Sequence, residues 1–262
     1  MSKLYVVGIG PGKFESMTHE AARVLGESDV IVGYTVYVDL VRDHFPDKTF
    51  LTTPMRREVE RVELALQEAA SGKTVAMVCS GDAGVYGMSG LCEELAVKYP
   101  GVEVETIPGV SAVLSGAAIL GAPLMHDFAV VSLSDLMTPW ETIEKRLRAA
   151  AAADYVICLY NPSSHKRKDY LQRACDIVMG SASPETICGV AQNIGREGEN
   201  TQVMTLKELR DTPVDMFSTV FSFQEIDPCI HFEGNQVRRT QKSDSINHFA
   251  SGNHKLIKII IQ

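Results

Sequence analysis

The sequence predicts an α/β fold made of two successive α/β domains, and three observations carry that prediction. Short apolar runs rich in Val, Ile and Tyr alternate with longer segments of helical period, the pattern of largely parallel strands joined by helices. Glycine-rich turns follow several of these runs. An apolar, glycine-bearing stretch, LSGAAILGAPLM at 114–125, separates two such series, so the expected domains are residues 1–120 and 121–239, followed by a tail at 240–262 that turns from polar to apolar.

In the first series the strands are LYVVGI (4–9), DVIVGY (29–34), TVAMVCS (74–80) and VEVETI (102–107). Between the second and third, REVERVELALQEAA (57–70) places Val59, Val62, Leu66 and Ala69 on one stripe opposite Glu and Arg, an amphipathic helix suited to a sheet face. VYGMSGLCEELAVKY (85–99) has a second helical spacing. The second series supplies strands at FAVVSL (128–133), DYVICLY (154–160), TICGVAQ (186–192) and TQVMTL (201–206). Two halves joined near Gly121 to Pro123 would leave a cleft, where ligands commonly bind.

Composition excludes several classes. With 45% hydrophobic and 22% charged residues in 262, the balance is that of an ordinary globular protein. No apolar run approaches the roughly 20 residues that span a bilayer. Glycines and a proline break MSKLYVVGIGPG where a signal peptide would continue, so a cytoplasmic protein is expected. Six cysteines without a CxxC pair signal neither a zinc site nor a disulfide framework, and are expected as reduced core residues. A net charge of -8 argues against nucleic acid or anionic membrane as a partner.

Three glycine-rich stretches invite a phosphate reading. In VVGIGPGKF the glycines fall at 8, 10 and 12, Lys13 takes the third fingerprint position and Pro11 removes a backbone donor, against a dinucleotide loop. In SGKTVAMV the first glycine of a phosphate loop would be Gln67, and a helix precedes where a strand should; a glycine ending a helix explains it. CSGDAGVYGM (79–88) does follow a strand, and Gly81 and Gly84 permit positive φ or close approach of a ligand. It contains no lysine or arginine, which favours a ligand without phosphates. The alternative is a strand-to-helix turn with Asp82 as N-cap.

Taken together, VGIGPG, SGDAGVYGM, TIPGVSA (106–112), LYNPSS (159–164) and AQNIGREGE (191–199) resemble the tetrapyrrole (corrin/porphyrin) methylases. Within them, GYTVYVDLV, MRREVERVELALQEAASGKTVAMVCSGDAGVYGM and GAPLMHDFAVVSLSDLMTPWETIEKRL look like the precorrin-3B or cobalt-precorrin-3 C17-methyltransferase group. The resemblance covers residues 3 to 223; beyond it, FSFQEIDPCIHFEGNQ departs from the GNS turn and hairpin of similar proteins. It implies methylation at C17 with contraction of the ring to precorrin-4, an active site in the cleft between the two domains, and a homodimer. A sister activity at C11 or C20, or an inactive binding protein, is the alternative; an RNA methylase of the same superfamily has no basic, aromatic surface behind it.

The same resemblance implies residues. S-adenosyl-L-methionine, leaving as S-adenosyl-L-homocysteine, would lie against Gly81, Asp82, Ala83, Val85, Tyr86, Ser111 and Ala112, then Leu136, Asn161, Ala191 and Thr219, with Pro11 facing the reaction zone. Methyl transfer from a sulfonium is an in-line displacement by the acceptor and needs neither a metal nor a nucleophilic residue, so the protein positions the reactants and keeps water out. A tetrapyrrole substrate bearing many carboxylates needs cations, and Arg56, Arg57, Arg61, Lys166, Arg167, Lys168 and Arg196 are the candidates, against the alternative of solvated helix faces. For the proton transfers of ring contraction, His126 and Asp135, flanking the strand at 128–133, are the titratable pair nearest the expected cleft.

Overall fold

The computed structural model describes residues 2–164 and 168–222, with the backbone of two short strands beyond them, Ile230–Glu233 and Gln236–Arg239. Strands β1 (Ser2–Gly8), β2 (Val30–Tyr34), β3 (Thr49–Thr53), β4 (Val75–Cys79) and β5 (Val102–Ile107) form one sheet in the order β3-β2-β4-β1-β5. Every pairing in it is parallel. The central β4 is buried along its whole length, as a strand covered on both faces must be.

Helices cover the two faces unequally. α1 (His19–Glu27), started by Thr18 accepting from the Ala21 amide, and the short α2 (Thr35–Asp39) pack with Val7, Ile31, Ala76 and Val78. On the opposite face α3 (Glu58–Ala70) and α4 (Ser89–Ala96) pack with Leu4, Val6, Val32 and Met77. α3 buries Arg61, Val62, Ala65, Leu66 and Ala69. Val59, expected on that stripe, lies in the first turn and is 50% exposed. The glycine of SGKTVAMV, Gly72, does end α3: it takes φ 98° and donates to the Ala69 carbonyl.

β1 leads into α1 on one face and β4 into α4 on the other. Neighbouring strands whose connections diverge in this way open a crevice at their carboxyl ends, beyond Gly8 and Cys79.

The second sheet, in the order β6-β7-β10-β8-β9, contains β6 (Phe128–Ser132), β7 (Val156–Tyr160), β8 (Ile187–Gln192), β9 (Asn200–Thr205) and β10 (Ser218–Ser222). Here the expectation of parallel strands is corrected. β6 and β7 are parallel, but β10 runs antiparallel to both β7 and β8, and β8 antiparallel to β9. The reason lies in the connection: residues 193–199 between β8 and β9 are too few for a crossover helix.

α6 (Trp140–Ala152), α7 (Tyr170–Val178) and α8 (Leu206–Arg210) cover one face of this sheet around Ile143, Leu147, Leu171 and Val220. α5 (Ala112–Ile119), which follows the last strand of the first sheet, covers the other face through Val113, Ala117, Cys158, Ala191 and Phe221. No helix among the described residues is long and apolar enough to cross a membrane.

The described cysteines are free and buried, as the sequence suggested. Burial pushes the Cys79 thiol up to about 11 and those of Cys158 and Cys175 to about 12; Cys92 and Cys188 are raised further for the same cause. Since the thiolate is the nucleophile, iodoacetamide at pH 8 is expected to leave all of them unmodified in the folded protein and to label them in denaturant. Rapid native-state alkylation of Cys79, read by peptide mass mapping, would contradict this packing.

Candidate active site

At the crevice the bare backbone has a structural cause. Gly10 and Gly81 form an isolated bridge, Gly10 N donating to Gly81 O at 3.0 Å and Gly81 N to Gly10 O at 2.8 Å. Gly109, beyond β5, packs so close that a methyl group there would overlap the carbonyl oxygens of both Gly81 and Gly8. A methyl on Gly8 would stand 2.7 Å from Gly109 N. These glycines let three adjacent strand ends meet, with Gly81 at φ 67°.

Asp82 organises the loop. Its Oδ1 accepts from the amides of Gly84 at 2.8 Å and Val85 at 3.0 Å, and its Oδ2 from Gly109 at 3.0 Å. It is therefore no N-cap of α4, which begins at Ser89; the Ser89 hydroxyl instead donates to the Ala83 carbonyl at 2.9 Å.

Tyr86, in the left-handed region at φ 53°, reaches the second sheet, where its hydroxyl donates to Val130 O at 3.0 Å and accepts from Ser132 N at 3.1 Å. Its ring lies 5.3 Å from that of Tyr160. The Tyr160 hydroxyl shares a 2.7 Å hydrogen bond with Ser111 Oγ and accepts from Val113 N at 2.8 Å. Burial, the largest cause, raises both phenols above their ordinary value. Asn161 holds φ 54° and donates through Nδ2 to Ser132 Oγ at 2.9 Å. A non-glycine residue held there is a strained position of the kind found at ligand sites.

These groups surround a cavity of about 170 Å³ lined from both sheets. Of the residues expected around a methyl donor, it brings together Pro11, Gly81, Asp82, Val85, Tyr86, Ser111, Ala112, Asn161 and Thr219. Ala83 and Ala191 are fully buried and do not line it. Tyr37, Ser80, Tyr160, Asn193, Ile194 and Phe217 line it as well; all but Phe217 stand inside motifs already noted, Ser80 beside Gly81 and Tyr160 beside Asn161. Phe217 precedes β10 with no local signal.

A larger open groove of about 770 Å³ adjoins it, and Asn161 and Met216 line both. Arg56, Lys168 and Leu136 lie along this groove, Leu136 at 80% exposure. The other candidate cations are distributed differently. Arg196 lines the smaller cavity. Arg57 pairs with Glu60 at 3.2 Å on the surface. Arg61 is 5% exposed and donates to Thr53 Oγ1 at 2.9 Å and Pro54 O at 3.1 Å, a structural post beneath Tyr34. Lys166 and Arg167 lie outside the described residues. His126 is exposed and lines neither cavity. Asp135 lines neither as well; it accepts from the Tyr170 hydroxyl at 2.6 Å.

Comparison with known proteins places this architecture. Residues 3–210 match the family model of the tetrapyrrole (corrin/porphyrin) methylases. A Salmonella typhimurium protein named probable cobalt-factor III C(17)-methyltransferase is 48% identical over 218 residues, 83% of this chain and 90% of its own length. A Sinorhizobium precorrin-3B C(17)-methyltransferase is 41% identical over 223 residues, 83% of this chain and 87% of its own. The crystal structure of the methyltransferase CobJ superposes with a TM-score of 0.80 at 33% identity, covering 92% of this chain and all of CobJ. With its all-parallel first sheet, mixed second sheet and a cavity lined from both, this chain belongs to the tetrapyrrole methylases.

Proposed function

We propose that this protein is an S-adenosyl-L-methionine-dependent methyltransferase of cobalamin biosynthesis that methylates C17 of precorrin-3B or its cobalt form and contracts the ring. The observation that carries the reading is the meeting of a small cavity and a large groove at Asn161 and Met216. Methyl transfer needs two ligands of unequal size with their reacting atoms in line, and a shared wall is where they would touch.

The residues of the small cavity fit the donor. Its polar wall is mostly neutral, with Ser80, Ser111, Asn161, Asn193 and Thr219, and Val85, Ile194 and Met216 offer apolar surface to an adenosyl group. The bound donor supplies an electrophilic methyl on a sulfonium; this chain's residues hold it and exclude water. Asn161, fixed through Ser132, keeps its amide at the seam, and Tyr86 ties the donor loop to the sheet carrying the groove. Arg56 and Lys168 stand where carboxylate arms of a tetrapyrrole would lie.

The greater identity to the cobalt-factor III relative favours a cobalt-bearing acceptor. A homodimer working in the cytoplasm belongs to the same proposal.

Incubation with methyl-labelled S-adenosyl-L-methionine and either acceptor is expected to give a product labelled at C17 with a contracted ring, by mass and NMR. Label at C11 or C20, or donor binding with no transfer to either acceptor, would refute it.

A further inference from the structure

Among the described residues lining the small cavity, Arg196 is the only cation, and its hydrogen-bond partners are neutral. Nη2 donates to Ser80 Oγ at 2.5 Å and Nε to the Pro11 carbonyl at 3.2 Å. The guanidinium lies 5.3 Å from the Tyr37 ring and 5.7 Å from the Phe217 ring. The one carboxylate among the described lining residues, Asp82, already accepts from three backbone amides. Burial lowers the Arg196 pKa, and no described carboxylate offsets it; the Tyr37 phenol beside it does so in part.

A half-buried cation without a counter-charge is costly, and proteins retain one where a ligand brings the charge. The position is also stiff. A methyl on Gly12 would stand 2.6 Å from Gly195 O and 2.7 Å from Arg196 Cγ, so the loop bearing Arg196 is pressed on the loop after β1. Ser80 and Pro11 then hold the side chain from the first sheet's side. The guanidinium is thus fixed in advance of the ligand, as a receptor needs.

We infer that Arg196, assisted by the Tyr37 phenol, is the receptor for a ligand carboxylate inside the donor cavity. The inference rests on the methyl-donor reading above. Two ligands carry the required group: the methionine end of the donor and the acid side chains of a tetrapyrrole. Both would be met by the same charge-assisted hydrogen bonds.

Calorimetry with S-adenosyl-L-homocysteine and with methylthioadenosine, which lacks the amino-acid arm, separates these sources. If the donor supplies the carboxylate, Arg196→Gln weakens S-adenosyl-L-homocysteine by about 10- to 100-fold and leaves methylthioadenosine within about twofold, which also certifies the fold. If the acceptor supplies it, both nucleosides bind as before and the KM for the tetrapyrrole rises by a similar factor. Arg196→Lys should recover part of either loss, since the charge returns without the fork. Equal weakening of both nucleosides would make Arg196 a structural clamp and overturn the inference, as would no change in any of the three measurements. Failure of the unaltered protein to bind S-adenosyl-L-homocysteine would instead overturn the donor reading, and this inference with it.

Discussion

Asp82→Ala is expected to weaken S-adenosyl-L-homocysteine binding by about a hundredfold while the sheets remain folded, because one carboxylate fastens three amides. Two of those bonds turn the loop at Gly84 and Val85; the third ties it to Gly109 beyond β5. Water can replace the first two at the exposed loop, but the Gly109 amide is partly buried between strand ends and would lose its acceptor. Asp82→Asn separates the two functions. Its remaining oxygen still accepts from Gly84 and Val85, whereas its NH₂ would face the Gly109 amide, donor against donor. About a tenfold loss is expected for that variant, with a melting temperature closer to the parent's than that of Asp82→Ala. Nucleoside affinity unchanged within about twofold in Asp82→Ala would show that this loop takes no part in the donor site.

The loop's chemistry was only half legible in the sequence. The bareness of CSGDAGVYGM suggests a surface cleared for a ligand, and part of it, Gly81 and Asp82, does face the cavity. Yet the closest packing there is backbone on backbone, Gly81 against Gly8 and Gly109, and no local pattern announces which strand ends will be neighbours. Strands buried on both faces, such as VAMVC and VICLY, were plain from their unbroken apolar runs. The edge strand TFLTT was not, since its threonines dilute the run and two of its positions are exposed.

Strand direction in the second half failed for another reason: alternation of apolar segments records that strands exist, while the brevity of 193–199 decides how two of them pair. The pairing of His126 with Asp135 rests on nearness along the chain to FAVVSL. That strand is the outer member of its sheet, and the cavity sits instead at the ends of β1, β4 and β7, through Pro11, Gly81 and Asn161. Arg61 shows the limit for charge patterns, because a helical stripe of Arg and Glu reads as solvated until tertiary packing buries one member under Tyr34.

Phe221→Ala is expected to be the most damaging single change to stability among the described residues of the second sheet. Phe221 is fully buried on β10, and α5 crosses its ring at Gly116, where a methyl group would come within 2.9 Å of the ring tip. Removing the ring leaves a void that Gly116 cannot fill, so a loss of about 3–5 kcal/mol follows, equivalent to a fall of roughly 10 °C in Tm for a chain of this size. The same void lies behind the site. Val113, Ala191 and Ile194 belong to the Phe221 cluster, while Ser111, Ala112 and Ile194 face the cavity, so relaxation toward the void draws the cavity wall with it. Donor affinity should therefore fall several-fold even at temperatures where the variant is folded. Phe221→Leu, which keeps most of the volume, should cost about 1–1.5 kcal/mol and spare the affinity. If Phe221→Ala melts within about 3 °C of the parent, α5 is not seated on this ring and the wall it builds must be held from elsewhere.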